Sequence, residues 1–487
     1  MATTVSNAPQ PQQLGQEAGW SPRLVCSLVS IVLILELLTL SYVMAATALP
    51  QIAATFQTTQ VGWVMAAFLL GGAVLSPPLG RLADAFGKRR VLLAVLGLAL
   101  IGSVMSAVAT SYGVFIAGRA LQGLLSACMF LSYSLMRDVY PRKALAISVS
   151  VATAGMGLIA VPAPWLTGWL LDGWGYKSVF WSFAIAIGVL ALVLRLSTDE
   201  SSLRVRASAD VPGALLLGAG LAGVLVGVSF APVWGWSDSQ TLTAIILGAV
   251  LIAVWIGYSL SRREPMIDVR FLARRPVILT ALAGGLTMGA SSVFTQLLPI
   301  LSMVPSEAQL GYGFGLDATG FAKIQAPLGA AAVVSGIVVG ILVGRGRAPK
   351  NLMVVGQAIM VGGAAGLALA HTTQGIVMTW AGVEGLGYGL AAAAIPNLVI
   401  CAVPASRQGA MSSMAQVFQG GLAAVLGVVA FTILNSHVAM AGQGFLLYSD
   451  SGMSKGFLLA AAASVVGVLC ALALPRGLNS EELDARS

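Results

Sequence analysis

An all-α integral membrane protein with fourteen transmembrane helices is the fold this sequence predicts, and three observations carry it. Only 9% of the 487 residues are charged while 57% are hydrophobic, whereas soluble proteins carry about 25% charged residues. Apolar runs of about 20 residues, the length that crosses a bilayer, recur from Leu24 to Leu474. The cations gather in alternate short loops between these runs. So little charge means that most of the surface faces something other than water, and the lipid bilayer is the first partner expected.

Residues 1–21 are rich in Gln, Pro, Ala and Ser and have no hydrophobic period, so a disordered tail is expected there. Spans follow at 22–49, 58–79, 90–110, 113–136, 144–171, 178–197, 210–231, 241–260, 277–303, 318–344, 351–370, 376–401, 409–432 and 455–475. Arg23 before the first run and the Ala-Ala-Thr-Ala that ends at Ala48 imitate a secretory signal. The run is longer than a signal core of roughly 7–15 residues, and Glu36 interrupts it, so it reads as a retained span.

An even count puts both termini on one side. Loops on that side hold Arg81, Lys88, Arg89, Arg90, Arg137, Arg142, Lys143, Arg204, Arg206, Arg262, Arg263, Arg270, Arg274, Arg275, Arg345, Arg347, Lys350 and Arg407. Loops on the other side hold Lys177 and Lys455. By the positive-inside rule both termini are cytoplasmic, residues 477–487 form a second cytoplasmic tail, and the expected location is the plasma (inner) membrane.

Several function classes are disfavoured. The net charge of +8 does not point to nucleic acid, because no continuous basic face exists. Cys26, Cys128, Cys401 and Cys470 fall inside spans without metal-ligand spacing and read as small buried hydrophobes. His371 and His437 lie in loops on the far side, too isolated for a metal site or a catalytic triad. No phosphate-binding G-x-x-x-x-G-K-[ST] is present, so ATP is not the expected energy source. Neither a cofactor nor an enzymatic activity is expected.

The stretch Gly80-Arg-Leu-Ala-Asp-Ala-Phe-Gly-Lys-Arg-Arg90 lies between the second and third spans. Two glycines, an acid and four cations cannot lie in hydrocarbon, so it marks a turn at the membrane surface. Its pattern, G-x-x-x-D-x-x-G-K-R-R, resembles the signature loop of the major facilitator superfamily, with Ala85 where the family usually has a base. Gly340-Ile-Leu-Val-Gly-Arg-Gly-Arg347, after the tenth span, is a reduced copy without the acid. Internal repetition of this kind is a transporter signature. It divides the chain into six-span halves at 22–200 and 271–476, with two inserted spans at 201–270. This arrangement is similar to the fourteen-span drug:proton antiporters.

Four ionisable groups fall within spans: Glu36, Arg119, Lys323 and Glu384. At about 1.5 Å per residue, Glu36 lies roughly 18 Å into the first span, near the midplane, where a charge costs about 2.5–3.5 kcal/mol or more. Such an acid is expected either to serve in proton coupling or to be a neutral packing residue. The family's first span typically reads L-D-x-T-x-x-N-x-A-L-P, while this chain has Leu40-Ser-Tyr-Val-Met-Ala-Ala-Thr-Ala-Leu-Pro50. Ser41 replaces the usual acid and Ala46 the usual amide. Glu36 is no simple substitute, because five residues turn it about 140° round the helix from Ser41.

Arg119-Ala-Leu-Gln122-Gly123 resembles the family's R-x-x-Q-G in the fourth span. The resemblance implies that the permanent charge of Arg119 holds a nearby acid ionised until substrate binds. A fixed ion pair between helices is the alternative. Glu384, in Gly382-Val-Glu-Gly-Leu-Gly-Tyr-Gly389, is either a proton or substrate site or a packing residue. Lys323 either snorkels to the outer surface or points inward and repels cations.

Val161-Pro-Ala-Pro-Trp-Leu-Thr-Gly168 resembles the antiporter motif G-P-x-x-G-G at Pro164 and Gly168, with Ala163 and Thr167 in place of glycines. Asp84 and Lys88 of the signature loop are expected to form a charge network with Asp138, which the resemblance implies latches one gate, in a gating loop that also holds Gly80, Gly87 and Arg89; a merely topogenic basic loop is the alternative. The resemblance thus implies export of a small amphipathic organic compound in exchange for protons, by alternating access. A proton-coupled importer on the same fold is the first alternative. A membrane enzyme or receptor that kept the fold is the second. Cysteine introduced at Lys88, Arg274 and Lys455 in a cysteine-free background tests the topology. The first two should label from the cytoplasm and the third from outside, and labelling of all three from one side would overturn the span count.

Overall fold

The computed structural model describes residues 20–141, 144–145, 148, 151–152, 162–201, 210–262, 265, 269–402, 408–442 and 445–474. Residues 1–19 and 475–487 therefore lie outside the described residues, as do residues 146–147, 149–150 and 153–161 of the predicted span at 144–171 and the loop cations Arg142, Lys143, Arg204, Arg206, Arg263 and Arg407. Twelve described helices are long and apolar enough to cross a membrane, and a bent pair makes a thirteenth. These occupy every predicted position except 144–171, where the described residues include the helix Ala163–Trp174.

In the first helix group, α1 (Pro22–Thr47) starts where the Ser21 hydroxyl accepts from the Leu24 amide and Pro22 sets the first turn. It continues almost directly into α2 (Leu49–Phe56). Helix α3 (Trp63–Phe86) bends by 45° between Leu75 and Pro78. It then turns into α4 (Lys88–Val108) at Gly87, whose φ of 109° favours glycine. The fourth span is interrupted, as α5 (Tyr112–Gln122) followed by α6 (Leu125–Val139). Two more helices, α7 (Ala163–Trp174) and α8 (Tyr176–Ser197), complete this group.

The inserted pair is α9 (Val211–Trp234) and α10 (Ser239–Ser261). A short α11 (Val269–Leu272) leads to the second group: α12 (Arg275–Met303), α13 (Ala318–Gly344), α14 (Pro349–Leu369), α15 (Gln374–Ala402), α16 (Gln408–Asn435) and α17 (Asp450–Leu472). A hairpin of β1 (Val438–Gly442) and β2 (Phe445–Tyr448) joins α16 to α17. The end of the bundle that carries Lys88–Arg90 is called the basic end below, and the end that carries this hairpin the far end.

Lipid supplies no hydrophobic drive between helices, so contact rests on close backbone approach at small residues. A Cβ on Gly123 would fall 2.0 Å from the Phe68 carbonyl of α3, and one on Gly385 would fall 2.1 Å from the Leu328 carbonyl of α13. The two groups repeat one crossing. Gly102 of α4 faces the Gly118 carbonyl and Gln122 amide of α5, as Gly356 of α14 faces the Gly387 carbonyl and Ala391 amide of α15. In this register Arg119 corresponds to Tyr388, and Phe115 to Glu384. The inserted helices pack on each other at Gly220, Gly223 and Gly248. Helix α9 also touches both groups, with Gly218 against Val74 and Val228 accepting from Thr432.

The outer faces are apolar, as on α8 at Ile185, Val189, Leu192 and Leu196. Trp169, Trp174 and Trp236 stand exposed at the far end, where an aromatic belt meets the membrane surface. Cys26 is exposed on α1, so it is not the buried hydrophobe expected, whereas Cys128 is buried. Gly385→Val should cost about 1–3 kcal/mol or more through overpacking, read as a lower unfolding midpoint of the purified protein. Gly362→Ala, which meets nothing within 4 Å, should leave it unchanged; equal effects would contradict the packing described.

Candidate functional site

Arg119 organises the centre of the first group. Its position on α5 faces α1 and α3, and it is fully buried. Nε donates to the Val64 carbonyl at 3.1 Å and Nη1 to Ser41 Oγ at 3.3 Å. Nη1 also donates to Gln122 Oε1, one turn along the same helix. The guanidinium carbon lies 4.5 Å from the Phe68 ring centroid and 5.7 Å from that of Phe180, which adds cation–π attraction. Nη2 of Arg119 and Nε2 of Gln122 have no partner.

The acid expected beside Arg119 is not in contact with it. Among the described residues Arg119 makes no ion pair, and Ser41 takes the place on α1 where the family has its carboxylate. A hydroxyl can accept from the cation but cannot neutralise it.

The residue after Ser41 crosses to the second group. Tyr42 and Ser292 of α12 join hydroxyl to hydroxyl. Gln296, one turn further on α12, donates from Nε2 to Ser292 Oγ at 2.8 Å and to Tyr42 Oη at 3.3 Å. Its Oε1 has no partner. Gly427 of α16 leaves room for this amide, since a Cβ there would come within 2.9 Å of Nε2. Tyr388, the counterpart of Arg119, points its hydroxyl at Met288 Sδ of α12, 3.7 Å away. The result is a central polar layer contributed by both groups.

Sequence reading missed Tyr42, Ser292, Gln296 and Tyr388. One signal was available: Ser292 and Gln296 stand four apart within the span, which places them on one helix face.

Glu36 and Glu384 are both buried, and none of their four carboxyl oxygens has a hydrogen-bond partner. A buried charge without partners is strongly disfavoured, so this conformation suits two neutral carboxyls. Lys323 does not reach the central layer. It is exposed on the face of α13 that continues through Val334, Ile337 and Ile341, which favours the snorkelling reading over an inward charge.

At the basic end the expected charge network is present. Lys88 is buried and paired with Asp138, which also accepts from Ser201 Oγ at 2.6 Å. Asp84 stands 3.9 Å from Lys88. Gly80 packs on the Phe130 ring. Arg89 donates to the Thr198 carbonyl at 2.6 Å. Glu200, which sequence reading missed, accepts from the Arg89 and Arg90 amides and so caps α4. All of these residues belong to the first group.

At the far end the groups are tied to each other. Asp172, at the end of α7, accepts from the Ala318 amide at 3.1 Å and the Thr319 amide at 2.9 Å. It also accepts from the Thr319 hydroxyl at 2.6 Å, which satisfies the free amides that begin α13. Gly168 makes this approach possible, because a Cβ there would fall 2.6 Å from Thr319 Cα; Pro164 is buried one turn earlier. Asn435 donates to the Thr59 carbonyl at 2.9 Å. The hydrogen bonds that join described residues of the two groups therefore lie at the centre and the far end. His371, expected to be isolated, is buried and bonded to Asp450 at 2.7 Å and to the Leu367 carbonyl.

Residues 29–428 match the family model described as Major Facilitator Superfamily. The Multidrug resistance protein Stp of Mycobacterium tuberculosis is 30% identical over 80% of this chain and 72% of its own length. The Tetracenomycin C resistance and export protein of Streptomyces glaucescens is 27% identical over 73% of this chain and 65% of its own. Among solved structures, the bacterial homolog to the human lysosomal transporter Spinster, inward-facing and unoccupied, has a TM-score of 0.64 at 15% identity. That likeness, over 94% of this chain and 98% of the other, shows the fold. With the family match covering most of its length, the chain belongs to the Major Facilitator Superfamily.

Proposed function

We propose that this transporter exports amphipathic organic compounds across the plasma membrane in exchange for protons, by rocking residues 22–200 against 271–476. The observation that carries the reading is the central polar layer, in which Tyr42 of one half meets Ser292 and Gln296 of the other while Asp172 ties the far end. A layer built from both halves changes its access when the halves rock. The relatives named for multidrug resistance and for tetracenomycin export support the outward direction.

With the basic end and both termini in the cytoplasm, the hydrogen bonds between described residues of the halves lie at the centre and on the outer side, which supports an inward-facing state. The proton gradient supplies the energy, without ATP or a cofactor. Glu36 is the coupling residue: a buried, unpartnered acid in the first helix can bind a proton at one surface and release it at the other. Arg119 fixes a positive charge in the layer, and Ser41 supplies no countercharge. At about 8 Å two unit charges interact by roughly 2 kcal/mol at an effective dielectric of 20. Neutral, monocationic and weakly acidic amphipaths are therefore favoured over dications.

Inside-out vesicles energised acid-inside test the reading with a monocationic dye and a dicationic one. Wild type should accumulate the monocation and not the dication. Glu36→Gln should lose accumulation by at least tenfold while remaining inserted and monodisperse. Wild-type rates in Glu36→Gln across the neutral range would make that acid structural, and efficient uptake of the dication would remove the charge argument.

A further inference from the structure

Among the described residues, Glu384 is a buried acid within a span that the proposed function leaves without a task. Helix α15 packs on its neighbours through glycines: Gly385 and Gly389 against α13, and Gly387 against Gly356 of α14. Among them stands a carboxyl that is 1% exposed, with no partner on either oxygen. Gly363 of α14 lies directly on its backbone, where a Cβ would come within 2.8 Å of the Glu384 amide nitrogen.

The first half shows what packing alone requires at this place. In the shared helix crossing, Glu384 corresponds to Phe115. Phe115 is wholly buried among rings, 5.1 Å from Phe180 and 5.4 Å from Phe56. An apolar side chain therefore suffices to fill the position, and an acid is not needed to hold two helices together. Glu384 also shares a helix face with Tyr388, four residues on, which stands where the first half has Arg119. From Tyr388 the contact runs to Met288 of α12, the helix that carries Ser292 and Gln296.

The charges on neighbouring helices leave this carboxyl without a counterion. On α13, Lys323 is turned to the membrane. On α14, Lys350 sits at the basic end and donates to the Leu472 carbonyl. On α12, Arg275 begins the helix at the basic end. The described part of α16 carries no acid or base, and Tyr388 is the titratable neighbour on α15 itself.

We propose that Glu384 is a second proton-binding site, so that each half carries one proton and two are exchanged per cycle. This rests on the reading that the chain is proton-coupled. In the releasing step the carboxyl O–H bond breaks and the proton passes to water at the end that is then open, leaving a carboxylate. In the loading step water at the other end returns a proton to the same oxygen pair.

The test needs no substrate. Purified protein in lipid nanodiscs is stepped from alkaline to acidic buffer, and protons taken up per chain are counted with an indicator dye. Glu384→Gln should take up one fewer than wild type, Glu36→Gln one fewer, and the double variant two fewer. An unchanged count in Glu384→Gln would show that this carboxyl stays neutral throughout, and would overturn the proposal. A loss in Glu384→Gln with a full count in Glu36→Gln would remove the Glu36 assignment and leave this one standing. If the glutamine variant does not fold, Glu384→Met removes the same proton with a side chain of similar size. Infrared spectra give an independent readout: the carbonyl band of protonated carboxyls should shrink in either variant and vanish in alkaline wild type. Its persistence in alkali would count against the site.

Discussion

Hydrocarbon offers no hydrogen bonds, and that constraint shapes this protein more than any single contact does. Each polar group inside the bundle must be met by another protein group, and most are: Arg119 by Val64, Ser41 and Gln122, Tyr42 by Ser292 and Gln296, Gln357 by Ala283 and Thr287. The groups left over are therefore informative. Nη2 of Arg119, Nε2 of Gln122 and Oε1 of Gln296 point to a layer with donors and an acceptor in reserve. Glu36 and Glu384 are left over in a different sense, as acids that this conformation accommodates when neutral.

The same constraint explains how the halves can move. Helices held by glycine contacts and a few hydrogen bonds form rigid groups, because a Cβ at Gly123 or Gly385 would collide with a carbonyl. The hydrogen bonds between the groups are few: Asp172 on the amides of α13, Asn435 on Thr59, Tyr42 on α12; beside them α3 packs on α16, with Gly62 against Phe431 and Gly420 against Ala73. The hydrogen bonds exchange readily with water once an end opens, so parting the far end costs mainly its apolar contacts. The network of Lys88, Asp138, Ser201 and Glu200 instead braces the basic end of the first half, and helps it to move as one piece.

Much of this was legible in the sequence. Span positions follow from hydropathy, and the charged loop at Gly80–Arg90 has the partners its pattern suggested. Glu36, Arg119 and Glu384 stood out because charge is rare where they lie. Tyr42, Ser292 and Gln296 did not, since uncharged polar residues are common in spans and only the facing helix reveals their partners. Asp172 and Glu200 look like ordinary loop acids until the helix starts they cap are in place. Lys323 could not be resolved from spacing alone, because the direction of a side chain depends on which face of α13 its neighbours cover.

On the proposed function, the two halves rock about the Tyr42 layer, coupled to the charge of the buried acids. Distances between spin labels at both ends test it most directly. Gly173 and Gly375 mark the far end of each half, and neither position has anything within 4 Å of an added Cβ. Arg90 and Arg347 mark the basic end and are both exposed. Raising the pH ionises carboxyls that this conformation cannot keep charged, so the far-end distance should lengthen while the basic-end distance shortens. Distances that stay fixed at both ends, or that lengthen together, would rule out this rocking motion.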